Sequence, residues 1–205
     1  MTVPYKTLTA PCGPVLLRER KSKFLGFAFP ARSREEVGAH LEGLRAAYPD
    51  ATHICYAFRI GLGRPETRMH DDGEPAYSAG APIFGQIEAF DLHNVLVCAV
   101  RYYGGTKLGV GGLIQAYRET ARNCLQQAMV VLKEPCRTLG LDFGYEALDA
   151  VMRTIAHNQL SIEQQEMALR CRVFLRVPAA REAGVFELFQ AIPGVESEWI
   201  TPEGT

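Results

Sequence analysis

Apolar positions along the chain fall into stretches of different period, and each period predicts a different element. Near the N-terminus, residues 15–17 and 24–29 are short runs of apolar and small side chains, the second stopped by Pro30, and both predict strands. Ser33 stands where an N-cap belongs, with Glu36 three residues later as in a capping box. Val37, Leu41, Leu44 and Tyr48 then repeat at helical spacing until Pro49, and residues 53–60 predict a strand. Residues 61–75 turn polar and rich in Gly and Pro, which predicts a long loop. Pro82 suits a first helical turn, and Ile83, Ile87 and Phe90 mark the buried face of that helix. Residues 95–100 are continuously apolar, as a strand covered on both faces requires. Over 112–129, Leu113 or Ile114, Tyr117, Ala121, Cys124 or Leu125 and Ala128 recur every three to four residues, which predicts an amphipathic helix with a polar, partly cationic outer face. Residues 130–135 read as a connector.

Beyond it the pattern reads strand (138–143), helix (145–158), strand (160–165), strand (168–177), helix (179–191) and strand (195–200). That β-α-β-β-α-β order is the ferredoxin-like one. Alternation of Leu169, Cys171, Val173, Leu175 and Val177 predicts a sheet covered on one face only. The reading is therefore an α+β chain of two domains, residues 1–135 and 136–205. Trp199, the only tryptophan, is expected to pack the last strand against its sheet.

Composition narrows the function classes. With 47% hydrophobic and 22% charged residues, the 205-residue chain has the make-up of a folded globular protein. It shows no apolar run of signal-peptide or membrane-span length, so a cytoplasmic location is expected. Its six cysteines (Cys12, Cys55, Cys98, Cys124, Cys136 and Cys171) are scattered without a C-x-x-C pair and read as reduced core thiols. No cofactor or metal site is expected. The net charge of -1 argues against bulk coating of nucleic acid. It is unevenly spread: residues 1–135 hold 16 Lys and Arg against 13 Asp and Glu (+3), and residues 136–205 hold 6 against 10 (-4). A polyanion site would have to be local and in the first part.

Two segments carry candidate chemistry. The second runs Arg101-Tyr102-Tyr103-Gly104-Gly105-Thr106-Lys107-Leu108-Gly109-Val110-Gly111-Gly112-Leu113. A buried strand would deliver Arg101 to its exposed end, glycines would allow close backbone approach, and a helix start near Gly111 and Gly112 would offer free amides to an anion. Lys107 is placed to join it, Arg118 and Arg122 share one helix face, and Tyr102 or Tyr103 is able to stack on a base. The structural alternative stays open: glycines that only turn the chain, Tyr103 in the core, Arg122 paired with Glu119. A nucleotide P-loop is excluded, because Val110-Gly111 stands where Lys-Ser/Thr belongs; G-x-G-x-x-G fails at Ile114.

The first segment is His70-Asp71-Asp72-Gly73-Glu74-Pro75-Ala76-Tyr77-Ser78-Ala79-Gly80. Its carboxylates and histidine suggest Mg²⁺ or acid–base work. The simpler reading of Asp72, Gly73, Glu74 and Pro75 is a turn whose carboxylates cap helix amides or pair with Arg101. Ser78 lacks the preceding hydrophobic strand of a nucleophile elbow and reads as a cap or turn residue.

With both segments in register, D-x-G-E-P followed by R-Y-Y-G-G-x-x-L-G-x-G-G-L, the sequence resembles the YigZ/IMPACT family. The resemblance implies an N-terminal domain folded like the second domain of ribosomal protein S-five and a C-terminal domain like one of elongation factor G. It also implies no established enzymatic activity, and eukaryotic relatives that regulate translation through protein contacts and carry an additional N-terminal domain. The leading expectation is a non-catalytic protein that binds RNA or the ribosome. A regulator acting through a protein partner, and an enzyme on a phosphate ligand that uses the acidic loop and the glycine turn together, are the alternatives.

Overall fold

The computed structural model describes residues 3–200. The chain forms two compact units, one of Tyr5–Lys133 and the other of the residues from Glu134 onward together with those before Tyr5.

In the first unit, β2 (Cys12–Glu19), β3 (Ser22–Pro30), β4 (His53–Ile60), β5 (Glu66–His70) and β6 (Val95–Tyr102) form one antiparallel sheet in the order β2-β3-β6-β4-β5. Period-2 alternation sends Phe24, Cys55, Val97 and Ala99 to one face, where they pack with Ile83 and Ile87 of α2 (Gly80–Ala89) and Leu113, Tyr117 and Cys124 of α3 (Gly109–Gln127). Phe27, Tyr56, Leu96 and Cys98 point the other way, onto Val37, Leu41 and Leu44 of α1 (Arg34–Ala47). Strand β6 is thus buried on both faces, which explains its unbroken apolar run. Gly26 allows the close approach of α3, since a Cβ there would lie 2.8 Å from the Thr120 carbonyl. Helix α1 starts as its sequence predicts, the Glu36 amide donating to Ser33 Oγ; the Glu36 carboxylate reaches back to the Arg32 amide at 2.8 Å.

Three short strands differ from the expectation. Residues 61–75 are not one loop, because β5 pairs with β4 inside them. All five of its residues are partly or largely exposed, so it leaves no hydrophobic alternation to read. Residues 130–135 are likewise more than a connector: β7 (Val130–Lys133) pairs antiparallel with β1 (Tyr5–Leu8), a partner more than 120 positions away.

The second unit contains β8 (Cys136–Phe143), α4 (Leu148–His157), β9 (Ser161–Met167), β10 (Cys171–Pro178), α5 (Glu182–Gln190) and β11 (Val195–Ile200). Its antiparallel order, β11-β8-β10-β9, is the ferredoxin-like one. Leu139, Leu141, Cys171, Val173, Leu175 and Val177 face Val151, Ile155, Val185 and Phe189 of the helices, while Leu169 lies outside the strand, fully exposed in the β9–β10 turn. Trp199 packs within this core, stacked on Phe186.

Candidate functional site

The acidic segment folds as a turn held by its own carboxylates. Asp72 and Gly73 both have positive φ, a conformation that Asp tolerates and Gly adopts freely. The chain doubles back so that Asp71 accepts from the amides of Tyr77, Ala79 and Gly80 at 2.8–2.9 Å. Ala79, at the cap position of α2, has no side-chain acceptor of its own, so Asp71 supplies the cap and the favourable negative charge. Asp71→Ala should therefore cost about 1–2 kcal/mol, read as a lowered denaturation midpoint; an unchanged midpoint would mean that water caps the helix equally well. Asp72 binds elsewhere, its Oδ2 accepting from the Ile54 amide and its carbonyl from His53 Nδ1, both at 2.7 Å. Ser78 is buried and donates to the Pro75 carbonyl at 2.6 Å, a turn contact.

Glu74 points inward. Its carboxylate, 4% exposed, accepts from Arg101 Nη1 at 2.5 Å and from the Tyr117 hydroxyl at 2.7 Å. Arg101 thus departs from its expected place at an exposed strand end: it is 4% exposed, it sits over the rings of Phe24 and Tyr103, and Nη2 faces Ser22 Oγ at 3.4 Å. The reason is positional. Arg101 follows Val97 and Ala99 on the face of β6 that α2 and α3 cover, so its guanidinium meets the loop carboxylate rather than solvent.

Cys55 Sγ completes the cluster, 3.3 Å from the Tyr117 hydroxyl and 3.0 Å from the Asp71 carbonyl. Burial pushes the Cys55 thiol far up, against a smaller opposing effect of the Tyr117 hydrogen bond, and burial likewise raises Tyr117. Both stay protonated at neutral pH, which makes Cys55 a poor nucleophile. The three carboxylates serve three different partners, and among the described residues no group of three His, Cys, Asp or Glu side chains is arranged to hold a metal ion. Sequence reasoning missed Cys55 and Ser22 here; Tyr117 was visible only as an apolar-face residue, with nothing local to pair it with Glu74.

After β6 the glycine turn leads into α3. Tyr102 is half-buried, Gly105 and Gly109 take positive φ, and Gly105, Lys107 and Gly111 are exposed. Gly104 packs directly on the β2–β3 turn: its amide donates to Ser22 Oγ at 3.2 Å, and a Cβ would fall 2.1 Å from the Lys21 carbonyl. Helix α3 then begins after Leu108 without a capping side chain, leaving first-turn amides without a side-chain acceptor. Arg118 and Arg122 are exposed on its outer face; Arg122 lies 3.7 Å from Glu119, an exposed pair of small energetic weight. At 1.5 Å per residue, Arg118 and Arg122 stand about 14 and 20 Å along the axis from the helix start beside Lys107. Arg118 and Arg122, four positions apart, thus share one face of α3 well beyond its first turn. Arg101 is not part of that face.

Both segments fall inside residues 20–125, which match the Impact N-terminal domain. An "IMPACT family member in pol 5'region" of Thermus thermophilus is 38% identical over 165 residues, 80% of this chain and 89% of the relative. "IMPACT family member YigZ" of Escherichia coli K12 is 30% identical over 177 residues, covering 84% and 87%. The crystal structure of a hypothetical protein superposes with a TM-score of 0.76 at 28% identity, covering 99% of this chain and all of the other.

Proposed function

The chain belongs to the IMPACT family, and from that premise we propose that it is a non-catalytic binding protein of translation control whose N-terminal unit holds RNA or ribosomal phosphate. The observation that carries this reading is the uncapped start of α3 beside Lys107, continued by Arg118 and Arg122 along the outer face of the same helix. Gly104, Gly105, Gly111 and Gly112 shape the turn that exposes these amides, whereas Tyr102 packs on the α1 side of the sheet. Arg101 serves by fixing the loop and strand end. A phosphate-ligand enzyme is the weaker reading, because Glu74 is enclosed by Arg101, Tyr117 and His53 while Asp71 and Asp72 are engaged by backbone amides.

Arg118→Ala/Arg122→Ala should weaken filter binding of single-stranded RNA or ribosomal subunits by roughly tenfold at low salt and flatten its salt dependence. Equal binding by the double variant would remove α3 from the site. A second reading, regulation through a protein partner, draws on the uncovered sheet face of the second unit, where Asp142 bridges Arg170 and Arg172 and Arg170 reaches Glu196. A partner captured by the purified chain that persists after nuclease treatment would favour it.

A further inference from the structure

The structure assigns a base-stacking site for single-stranded nucleic acid to the β2–β3 hairpin and the end of β6, on the face of the sheet opposite α3. This inference rests on the nucleic-acid reading above but places the bases on a different surface. Strand register builds it. Arg18 pairs with Lys23 and Lys23 with Tyr102, so a row of two cations and a tyrosine crosses three adjacent strands; Leu16, Leu25 and Val100 form the next row. Strands are spaced about 4.8 Å apart, so the row spans roughly 10 Å. With Lys21 and Tyr103, all of these except the buried Val100 line a cleft of about 460 Å³ that contains no acidic side chain.

Two features set this cleft apart from an ordinary solvated surface. Like charges placed directly opposite in an antiparallel pair destabilise it, yet Arg18 faces Lys23, and among the described residues neither they nor Lys21 form a salt bridge. Functional or strained sites are where sequences break local rules in this way, so the pair is a candidate for function. Tyr103, moreover, is 46% exposed while held from behind: its ring lies 5.5 Å from the buried Arg101 guanidinium and its amide donates to Thr52 Oγ1 at 3.0 Å. A half-exposed ring that shares its cleft with Leu16, Leu25 and three cations without salt bridges suits an unstacked base with phosphates on either side. Duplex nucleic acid hides its base faces, and a simple polyanion has no use for the ring.

The test is fluorescence anisotropy of the full chain with an end-labelled oligouridylate across a salt series, with oligothymidylate, duplex RNA and inorganic polyphosphate as further probes. Arg18→Ala/Lys23→Ala should weaken oligouridylate binding about tenfold and lower the salt slope by about 1.4, two phosphate contacts at about 0.7 each. Tyr103→Ala should weaken it about fivefold or more, whereas Tyr103→Phe retains binding. All these side chains are exposed, and unchanged thermal melts would confirm folded variants. Binding unaffected by the hairpin and Tyr103 variants but lost in Arg118→Ala/Arg122→Ala would overturn this site and leave the nucleic-acid reading standing. Failure of the unmutated chain to bind either oligomer would overturn both. Equal affinity for polyphosphate, with Tyr103→Ala unchanged, would overturn the stacking.

Discussion

Glu74→Ala is expected to destabilise the N-terminal unit by about 3–5 kcal/mol, because it leaves a buried guanidinium without its counter-charge. Among the described residues no second carboxylate forms an ion pair with Arg101. Arg101 is sealed between Phe24, Tyr103 and the loop, and its other contact, Ser22 Oγ at 3.4 Å, is neutral and long. The Tyr117 hydroxyl would lose its acceptor in the same step. Denaturant titration followed by far-UV circular dichroism would show the loss as an early transition. Arg101→Met alone should also be costly, since it strands the Glu74 carboxylate, whereas Glu74→Leu/Arg101→Met should recover part of the loss; the double-mutant cycle gives the coupling directly. A change below about 1 kcal/mol for Glu74→Ala would mean that water reaches the pair.

Gly104→Ala is expected to cost about 2–3 kcal/mol through overpacking against backbone, which has no rotamer to yield. The added methyl would overlap the Lys21 carbonyl carbon and oxygen, both at 2.1 Å, and the Ser22 amide nitrogen at 2.5 Å. Relief requires the β2–β3 turn and the end of β6 to move apart, breaking the Gly104 amide bond to Ser22 Oγ. The same variant should weaken oligouridylate binding, because Lys21, Lys23 and Tyr103 would no longer be held together. Gly38→Ala is the matched control: that glycine lies within α1 and its added Cβ meets nothing within 4 Å. Equal stability of Gly104→Ala and the unmutated chain would show that the turn adapts.

How much of this was legible in the sequence follows from the range of the forces involved. Helix α1 was readable because its signals are local: a cap, an acidic residue three positions on, and apolar side chains at helical spacing. Strand β6 was readable because burial on both faces leaves an unbroken apolar run. Strand β5 was not, since five partly or largely exposed residues carry no alternation, and neither was β1, whose partner lies at the far end of the unit. The acidic turn was read as a set of caps and a possible partner for Arg101, and both contacts are present. The direction of Arg101 is not legible in the motif, which places the residue at a strand end without fixing the face it takes; the α2 and α3 side follows only from its register with Val97 and Ala99. The pairing of Arg18 with Lys23 was equally hidden, since strand register depends on the turn between them; Arg20 and Lys21, both at positive φ, form that two-residue turn.

Binding of nucleic-acid phosphate by this chain is tested most directly by filter binding of the unmutated full chain to single-stranded RNA from roughly 50 to 200 mM salt. Log affinity should fall linearly with log salt concentration, steeply enough to reflect release of several counterions. Absence of binding at the lowest salt, or binding indifferent to salt, would contradict it and return Lys107, Arg118 and Arg122 to the role of solvated surface.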